Sequence, residues 1–339
     1  MRYGSCTEAI ATYSASKIEK YLYPTCMTND ISLTPTIPIA PADFKSGFVA
    51  LLGRPNVGKS TLMNQLVGQK IAITSPVAQT TRNRLRGIFT NERSQIIFVD
   101  TPGIHKPHHE LGKILVKNAR STVGAVDLVV FIVDGSVPLG KGDKFIADFL
   151  SKTQAPVILG VNKIDQRPDN KPHILQSYQD LASANNWQLE EFSALEGDRL
   201  NNLENALISA LEPGPYYYPP DLVTDQPERF IMAELIREQI LLHTRQEVPH
   251  SVAIAIEQVN ETPEITEVRA AINVERSSQK GILIGKKGSM LKTIGTAARQ
   301  QIQKLIAGKV YLELFVKVQP KWRQSRASLA ELGYSLDEN

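Results

Sequence analysis

The sequence predicts an α/β protein of two domains, in which a doubly wound, mostly parallel sheet is followed by a smaller α+β domain. Three observations support this fold class. A glycine-rich loop lies between an apolar strand and a helix near residue 53, apolar strands alternate with helices as far as residue 211, and prolines crowd residues 213–220. We therefore divide the 339 residues into a disordered N-terminal extension (1–45), a first domain (46–212), a linker (213–227) and a second domain (228–335).

The loop that begins at Gly53 has the composition of a phosphate-binding loop. It follows the apolar run of residues 48–52 and precedes a helical pattern over residues 59–67, which is the order that such a loop requires. Its glycines allow backbone N–H groups to face an oligophosphate, and the helix adds its positive end. We expect Lys59 to act on the β and γ phosphates and Ser60 to bind Mg²⁺. The predicted loop residues are Gly53, Arg54, Pro55, Asn56, Val57, Gly58, Lys59, Ser60 and Thr61.

The other elements of the first domain alternate as a doubly wound sheet requires. Continuous apolar strands such as residues 128–133 fit a sheet that is covered on both faces, and the short stretch 87–90 fits an antiparallel edge strand. Strands are predicted at residues 48–52, 87–90, 95–99, 126–133, 156–161 and 188–192. Helices are predicted at residues 59–67, 110–123, 141–151, 173–184 and 201–211.

A second motif, after the strand at residues 156–161, indicates that the nucleotide base is guanine. A carboxylate at Asp165 would accept hydrogens from N1 and N2 of guanine, whereas adenine lacks the N2 amine and presents a lone pair at N1. We expect Asn162 to contact N7, the stem of Lys163 to cover the base and the N–H of Ala194 to reach O6. The predicted guanine-binding residues are Asn162, Lys163, Ile164, Asp165, Ser193 and Ala194.

Two further stretches carry candidate Mg²⁺ and γ-phosphate ligands. Asp100 ends a predicted strand and would hold the ion through water, and the N–H of Gly103 would touch the γ phosphate. In the polar stretch 79–82, Thr81 is the preferred ligand to Mg²⁺ when the γ phosphate is present, and Thr80 is the alternative. The nucleotide residues predicted here are Asp100, Thr101, Pro102, Gly103 and Ile104, and the metal ligands are Ser60, Thr81 and Asp100.

These five motifs, in this order, resemble a translation-factor-like GTPase domain that is not circularly permuted. The resemblance implies a P-loop GTPase that binds GTP or GDP with Mg²⁺. Ile104 departs from Ras-like enzymes, which carry at that position a glutamine that orients the attacking water. In similar loops an asparagine such as Asn56 binds K⁺ in place of an arginine finger, so Asn56 is either a catalytic K⁺ ligand or a structural loop residue. Thr81 and Lys59 complete the catalytic candidates.

The linker and the second domain differ in pattern from the first. Prolines exclude a helix over residues 213–220, and we expect the linker tyrosines 216–218 to pack between the domains, with base stacking as the alternative. The second domain has the predicted order helix, strand, strand, short helix, glycine turn, helix, strand. Its long elements are predicted at residues 229–245, 251–259, 266–274, 289–306 and 310–318, with a last helix after Trp322.

The glycine turn of the second domain joins two glycines to two lysines between predicted helices. The glycines permit close backbone approach, and the lysines offer charge to phosphates. This segment resembles the Gly-x-x-Gly clamp of type II KH domains, which holds about four nucleotides of single-stranded RNA. Ile282, Ile284 and Ile294 would either line the base groove or belong to the core. The predicted RNA-binding residues are Ile284, Gly285, Lys286, Lys287 and Gly288.

The two domains together resemble the Era family of bacterial GTPases over about residues 46–335. The resemblance rests on the phosphate loop with Asn56 and Val57, on residues 79–82, on the linker tyrosines and prolines, and on the KH-like clamp. It implies a GTP-hydrolysing switch that binds the 3′ end of small-subunit ribosomal RNA and assists assembly of the precursor small subunit. It also implies a cytoplasmic protein with peripheral association to the inner membrane. We expect a monomer.

Charge distribution agrees with an RNA partner for the second domain. Residues 267–329 carry 13 Lys or Arg and 3 acidic residues, whereas the rest of the chain carries 25 basic and 32 acidic residues. A basic end on an acidic body indicates a polyanion partner, although a solvated basic surface is the competing interpretation. The two cysteines, Cys6 and Cys26, show no disulfide or metal spacing. No apolar run approaches the roughly 20 residues that a membrane span needs.

Three alternatives stay open at this stage. The chain could be an RNA-binding scaffold with a structural nucleotide site, since Ile104 removes an obvious catalytic group. It could be a GTPase accessory to a separate RNA-modifying enzyme. The extension, rich in Ser, Thr, Ala and Pro, could be an organelle transit peptide or could result from a start assigned ahead of Met27, although a disordered tail is the preferred interpretation.

Overall fold

A computed structural model of the protein describes residues 37–75, 85–101, 103, 122–168, 171–245, 248–306 and 308–325. All of these residues belong to one compact unit, which begins at Ile37. The described part contains a six-stranded sheet and, after it in the chain, a three-stranded sheet. The N-terminal extension to residue 36, residues 79–82, Ile104, almost all of the helix predicted at 110–123 and the C-terminal tail lie outside these residues.

The six-stranded sheet has the predicted doubly wound, mostly parallel arrangement. The strand order is β2-β3-β1-β4-β5-β6, and only β2 runs antiparallel to its neighbour, as the edge strand predicted there should. The strands are β1 (Lys45–Leu52), β2 (Leu85–Thr90), β3 (Ser94–Asp100), β4 (Leu128–Asp134), β5 (Val157–Asn162) and β6 (Gln188–Glu191).

Helices cover both faces of this sheet. Val49 and Leu51 of β1 belong to one buried cluster with residues of α1 and α4, whereas Ala50 and Leu52 belong to another with residues of α2 and α3. Because successive side chains of a strand point to opposite faces, this division explains the continuous apolar strands in the sequence. The helices are α1 (Lys59–Val67), α2 (Lys141–Leu150), α3 (His173–Asn185) and α4 (Leu200–Ala210).

The carboxyl ends of four parallel strands meet at one edge of the sheet. The phosphate loop follows β1, Asp100 ends β3, Asp134 ends β4 and Asn162 ends β5. Since Leu51 pairs with Asp100, and Asp134 pairs with Asn162, these loops lie side by side. This is the edge at which open α/β sheets bind their ligands.

The second domain is the α+β unit that the sequence predicts. Strand β8 pairs antiparallel with β7 and parallel with β9, and apolar residues of α5 and α7 pack against this sheet. The described part ends in a single 3₁₀ turn, Trp322–Gln324, in which the buried indole of Trp322 donates to the Ser251 carbonyl at 3.2 Å. The last helix predicted after Trp322 falls mostly outside the described residues. The elements are α5 (Glu228–His243), β7 (Ala253–Glu261), β8 (Ile265–Val274), α6 (Ser277–Ile284), α7 (Ser289–Leu305) and β9 (Lys309–Val318).

The linker lies along the first domain, so the expectation that its tyrosines pack between the domains is wrong. The Tyr216 ring contacts Phe44, with centroids 4.3 Å apart, and the Tyr217 ring contacts Phe48 at 5.2 Å. The buried side chain of Gln95 accepts hydrogen bonds from the backbone N–H groups of Tyr217 and Tyr218. The sequence could not reveal this partner, because a buried glutamine inside an apolar strand has no local signal.

Candidate functional site

The phosphate loop after β1 requires glycine at two positions. A side chain at Gly53 would place its Cβ 2.3 Å from the Ile132 carbonyl of the neighbouring strand. Gly58 has a φ of 101°, and a Cβ there would lie 2.2 Å from Asn162 Nδ2. Both spacings are far shorter than van der Waals contact, so the loop can approach β4 and the base motif only with glycine at these positions. Asn56, at the exposed tip, has a φ of 64°.

Lys59 and Ser60 open helix α1 beneath this loop. The Lys59 side chain is only 6% exposed, and its ammonium donates to the Arg54 carbonyl at 3.2 Å. Burial lowers the pKa of Lys59, and the nearby carboxylate of Asp100 opposes that shift. A buried cation directed at the loop backbone is placed to bind an oligophosphate at the same loop.

Ser60 and Asp100 lie together as the metal prediction requires. The Ser60 hydroxyl donates to Asp100 Oδ2 at 2.7 Å, and Asp100 is fully buried. Hydroxyl and carboxylate oxygens are the hard ligands that Mg²⁺ prefers, so this donor set fits that ion. Within the described residues, no group of three or more His, Cys, Asp or Glu side chains forms a separate metal site.

A salt bridge that the sequence analysis missed fixes the start of the phosphate loop. Arg54 Nε lies 2.6 Å from Asp143 Oδ1 in the first turn of α2, and the Asp143 side chain is fully buried. Asp143 also accepts a hydrogen bond from the backbone of Gly140 through its other oxygen. Burial alone would lower the pKa of Arg54, but the hydrogen bond and charge of Asp143, together with smaller contributions from Tyr178 and Asp134, outweigh burial and raise it. The residues are 89 positions apart, so no local pattern could reveal the pair.

Asn162 joins the phosphate loop to the base motif. Its Nδ2 donates to the Val57 carbonyl at 2.8 Å, and its Oδ1 accepts from the Ala194 N–H at 2.9 Å. The side chain is buried, and both ends of its amide are bonded to backbone groups. These bonds give Asn162 a role in holding the loops together, and its predicted contact with N7 stays a prediction.

The neighbouring Lys163 is anchored by a residue that the sequence analysis did not single out. Its ammonium lies 2.6 Å from Asp134 Oδ2, and Asp134 also accepts hydrogen bonds from the backbone and hydroxyl of Ser136. Burial would raise the pKa of Asp134, but the bonds from Lys163 and Ser136 outweigh burial and lower it. Lys163 has a φ of 66°, and Asp165 is exposed two residues further on. This geometry directs the Lys163 stem along the edge of the site.

The other predicted nucleotide residues are only partly described. Thr101 is buried and donates from its hydroxyl to the Leu51 carbonyl at 2.9 Å, so its side chain serves the fold. Gly103 lies so close to the phosphate loop that a Cβ would be 2.6 Å from Pro55 N. Ser193 accepts a hydrogen bond from the Glu196 N–H, which shapes the turn that presents Ala194. Pro102, Ile104, Thr80 and Thr81 lie outside the described residues.

The glycine turn of the second domain has the shape of a clamp between two helices. Helix α6 ends at Ile284 and α7 begins at Ser289, and Gly285, Lys287 and Gly288 have φ values of 71°, 51° and 79°. Both Lys286 and Lys287 are exposed. Of the three isoleucines considered, Ile294 is buried in the core and Ile282 is half exposed.

Each of the two domains matches a known protein family. Residues 48–163 match the family described as 50S ribosome-binding GTPase, and residues 247–323 match the KH domain family. The chain is 69% identical over 309 residues to the GTPase Era of Rippkaea orientalis, covering 91% of this chain and 98% of that protein. It is 71% identical over 303 residues to the GTPase Era of a Nostoc species, covering 89% of this chain and 94% of that protein.

Solved structures give the same result for the fold. A crystal structure of Era in complex with MgGDPNP and nucleotides 1506–1542 of 16S ribosomal RNA matches with a TM-score of 0.81, at 37% identity, covering 86% of this chain and all of the other. A point variant of Aquifex aeolicus Era bound to GDP and AlF₄⁻ matches with the same score, identity and coverage. No helix among the described residues is long and apolar enough to cross a membrane. A P-loop GTPase domain followed by a KH domain, at this similarity, shows that the chain belongs to the Era family of GTPases.

Proposed function

We propose that this GTPase is a switch that binds the 3′ end of small-subunit ribosomal RNA through its KH domain and assists assembly of the precursor small subunit. The proposal is carried by one observation: a phosphate loop with a paired Ser60 and Asp100 lies on the same compact unit as a glycine clamp with two exposed lysines. The RNA-bound Era structure supports the choice of RNA.

In the nucleotide site, each residue has a role that follows from its position. Lys59 binds the β and γ phosphates, with backbone N–H groups of the loop from Gly53 to Ser60 around it. Ser60 and Asp100 hold Mg²⁺, which supplies charge neutralisation at the phosphates when bound. Asp165 selects guanine, Lys163 covers the base and Ala194 contacts it. Thr81 is assigned to the metal from its place in the sequence.

In the KH domain, the backbone of residues 285–288 approaches the RNA closely. Gly285 and Gly288 have positive φ, a Cβ at Gly288 would enter open space, and Lys286 and Lys287 are exposed next to them. Phosphates of single-stranded RNA bind such a positively charged glycine turn. The exposed Ile282 lies on the preceding helix, where it offers apolar surface to a base.

A potassium-dependent step belongs to the same proposal. Asn56 is exposed at the tip of the phosphate loop, in a left-handed backbone conformation. A monovalent cation held there by its side-chain carbonyl would supply the positive charge that an arginine finger supplies elsewhere. Peripheral membrane association and the monomeric state stay predictions from the family resemblance.

The test is GTP turnover by the full chain in potassium and in sodium, with and without the 3′-terminal fragment of small-subunit ribosomal RNA. We expect RNA to stimulate turnover and potassium to increase it further. RNA binding with no turnover under any of these conditions would favour the RNA-scaffold alternative. Turnover with no RNA binding would remove the assembly role and leave the GTPase.

A further inference from the structure

A buried carboxylate of the RNA-binding domain is bonded to the GTPase domain. Glu238, on α5, is 1% exposed in its side chain, and its Oε2 lies 2.6 Å from the ammonium of Lys70. Its Oε1 accepts from the backbone N–H of Thr74 at 2.8 Å. Glu238 therefore holds both ends of the segment from Lys70 to Thr74, which follows α1 in the first domain.

The same segment is held from the other side by the helix that begins at the phosphate loop. Asn64 of α1 accepts from the N–H groups of Ile71 and Ala72 at 3.0 and 2.8 Å, and donates to the Ala72 carbonyl at 2.7 Å. Asn64 lies one turn after Ser60 on one rigid helix. Helix α1 and the bonds of Asn64 thus connect the start of the helix, where Ser60 lies, to the segment that Glu238 binds.

The metal-binding carboxylate also faces this interface. A cavity between the domains is lined by Asp100, Leu85 and residues 71–73 on one side, and by Phe230 and Glu234 of α5 on the other. Next to it, the guanidinium of Arg237, which is 1% exposed, pairs with Glu234 at 2.5 Å. The surface of α5 that meets the GTPase domain therefore combines apolar contacts with the ionic bond of Glu238 to Lys70.

Glu238 is the buried partner of this ionic bond, since its side chain is 1% exposed and that of Lys70 is 36% exposed. A buried carboxylate that loses its partner is left uncompensated, which destabilises the contact strongly. The bonds of Glu238 therefore determine how α5 holds the segment 70–74.

We propose that Glu238 is a positioning residue for GTP turnover, contributed by the RNA-binding domain, through which RNA binding reaches the nucleotide site. The RNA dependence in this inference rests on the proposed switch function. The effect of Glu238 on basal turnover does not depend on that function. Glu238 acts through Lys70 and Thr74 on Asn64 and helix α1, and so on the placement of Ser60.

The experiment compares Glu238→Gln and Lys70→Gln with the wild-type chain in GTP turnover, with and without the 3′-terminal RNA fragment. The matched control is Glu228→Gln, an exposed acid in the first turn of the same helix. We expect both test variants to lower basal kcat and to reduce the RNA stimulation by roughly fivefold or more, the lower end of measured coupling between sites. GTP and RNA affinities should stay within about twofold of wild type, as should every property of the control.

The double variant distinguishes positioning from general damage. If Glu238 and Lys70 act as one pair, the double variant loses no more than either single variant, whereas independent structural damage adds. The Lys70 side chain is 36% exposed. If Glu238→Gln does not fold, Lys70→Gln therefore provides the same comparison of basal kcat and RNA stimulation. Unchanged basal kcat and stimulation in both single variants would overturn the inference. If RNA fails to stimulate even the wild type, the switch function falls, and basal kcat alone decides the role of Glu238.

Discussion

Asn162 donates a hydrogen bond from its side chain to the Val57 carbonyl, 2.8 Å away and 105 positions earlier in the chain. This bond connects the phosphate loop with the strand end at which we propose that the base is recognised. Because the other end of the same amide accepts from Ala194, the three loops of the site are fixed to one buried side chain. These bonds within the protein hold the three loops in one arrangement, which reduces the ordering that nucleotide binding must supply.

Replacing Asn162 with Ala should weaken both the fold and nucleotide binding. The Val57 carbonyl and the Ala194 N–H would each lose a buried partner, and an unsatisfied buried group costs about 1–3 kcal/mol. We expect a lower melting temperature and at least a tenfold weaker affinity for GDP, measured by thermal unfolding and by titration calorimetry. Asn202→Ala, at an exposed position on α4, is the control. Wild-type affinity in Asn162→Ala would show that the loops keep their arrangement without this bond.

Asp165→Asn should change the preferred base from guanine to xanthine. The carboxylate can accept two hydrogens from guanine, whereas an amide offers one donor and one acceptor, which match the N1–H and O2 of xanthine. Polar sites discriminate strongly against such mismatches, so we expect GTP affinity to fall about 100-fold or more and XTP affinity to rise. Asp165 is exposed, so stability should not change. Competition binding with both nucleotides measures the ratio, and an unchanged ratio would exclude Asp165 from base recognition.

Only some parts of the site could be predicted from the sequence. The glycine loop and the base motif could be predicted because their functional groups are adjacent in the chain and follow apolar strands. The salt bridges of Arg54 with Asp143 and of Lys163 with Asp134 join residues 89 and 29 positions apart, and the bond of Lys70 to Glu238 joins residues 168 apart. Such pairs depend on the final packing of elements, which periodicity does not determine.

Asp134→Ala should weaken GTP and GDP binding by the same factor. The variant removes the anchor of the Lys163 ammonium. The covering of the base that we propose for Lys163 would be the same in both nucleotides. Because the pair is only partly buried, we expect a loss of roughly threefold to tenfold. The kcat at saturating GTP should not change. Equilibrium binding of both nucleotides measures the effect, and Asp148→Ala, at an exposed position on α2, is the control. A loss confined to GTP would place Asp134 near the γ phosphate instead.

Nucleotide binding should be accompanied by uptake of a proton by Lys59 when the pH lies above the lowered pKa of this residue. Burial lowers the pKa of Lys59 in the free protein, and bound phosphates would raise it because they add negative charge. Above the lowered pKa, binding must therefore protonate Lys59, so affinity decreases as the pH rises through that value. Calorimetry in buffers of different ionisation enthalpy, at a series of pH values from neutral upward, measures the uptake. Lys59→Arg should abolish it, since a guanidinium does not titrate in this range. Equal enthalpies in all buffers would contradict the assignment.

Reversing the charge of the KH clamp should separate RNA binding from nucleotide binding. Lys286 and Lys287 are exposed, and the glycines on either side determine the backbone conformation, so Lys286→Asp with Lys287→Asp should leave the fold intact. Each lost phosphate contact should reduce the slope of log affinity against log salt by about 0.7 for a single strand. We expect RNA affinity to fall at least tenfold at low salt, with GDP affinity unchanged. Lys144→Asp with Lys152→Asp makes the same change of charge at exposed positions of the GTPase domain. If that control loses as much RNA affinity as the clamp variant, the attraction is a property of net charge and the glycine turn is not the RNA site.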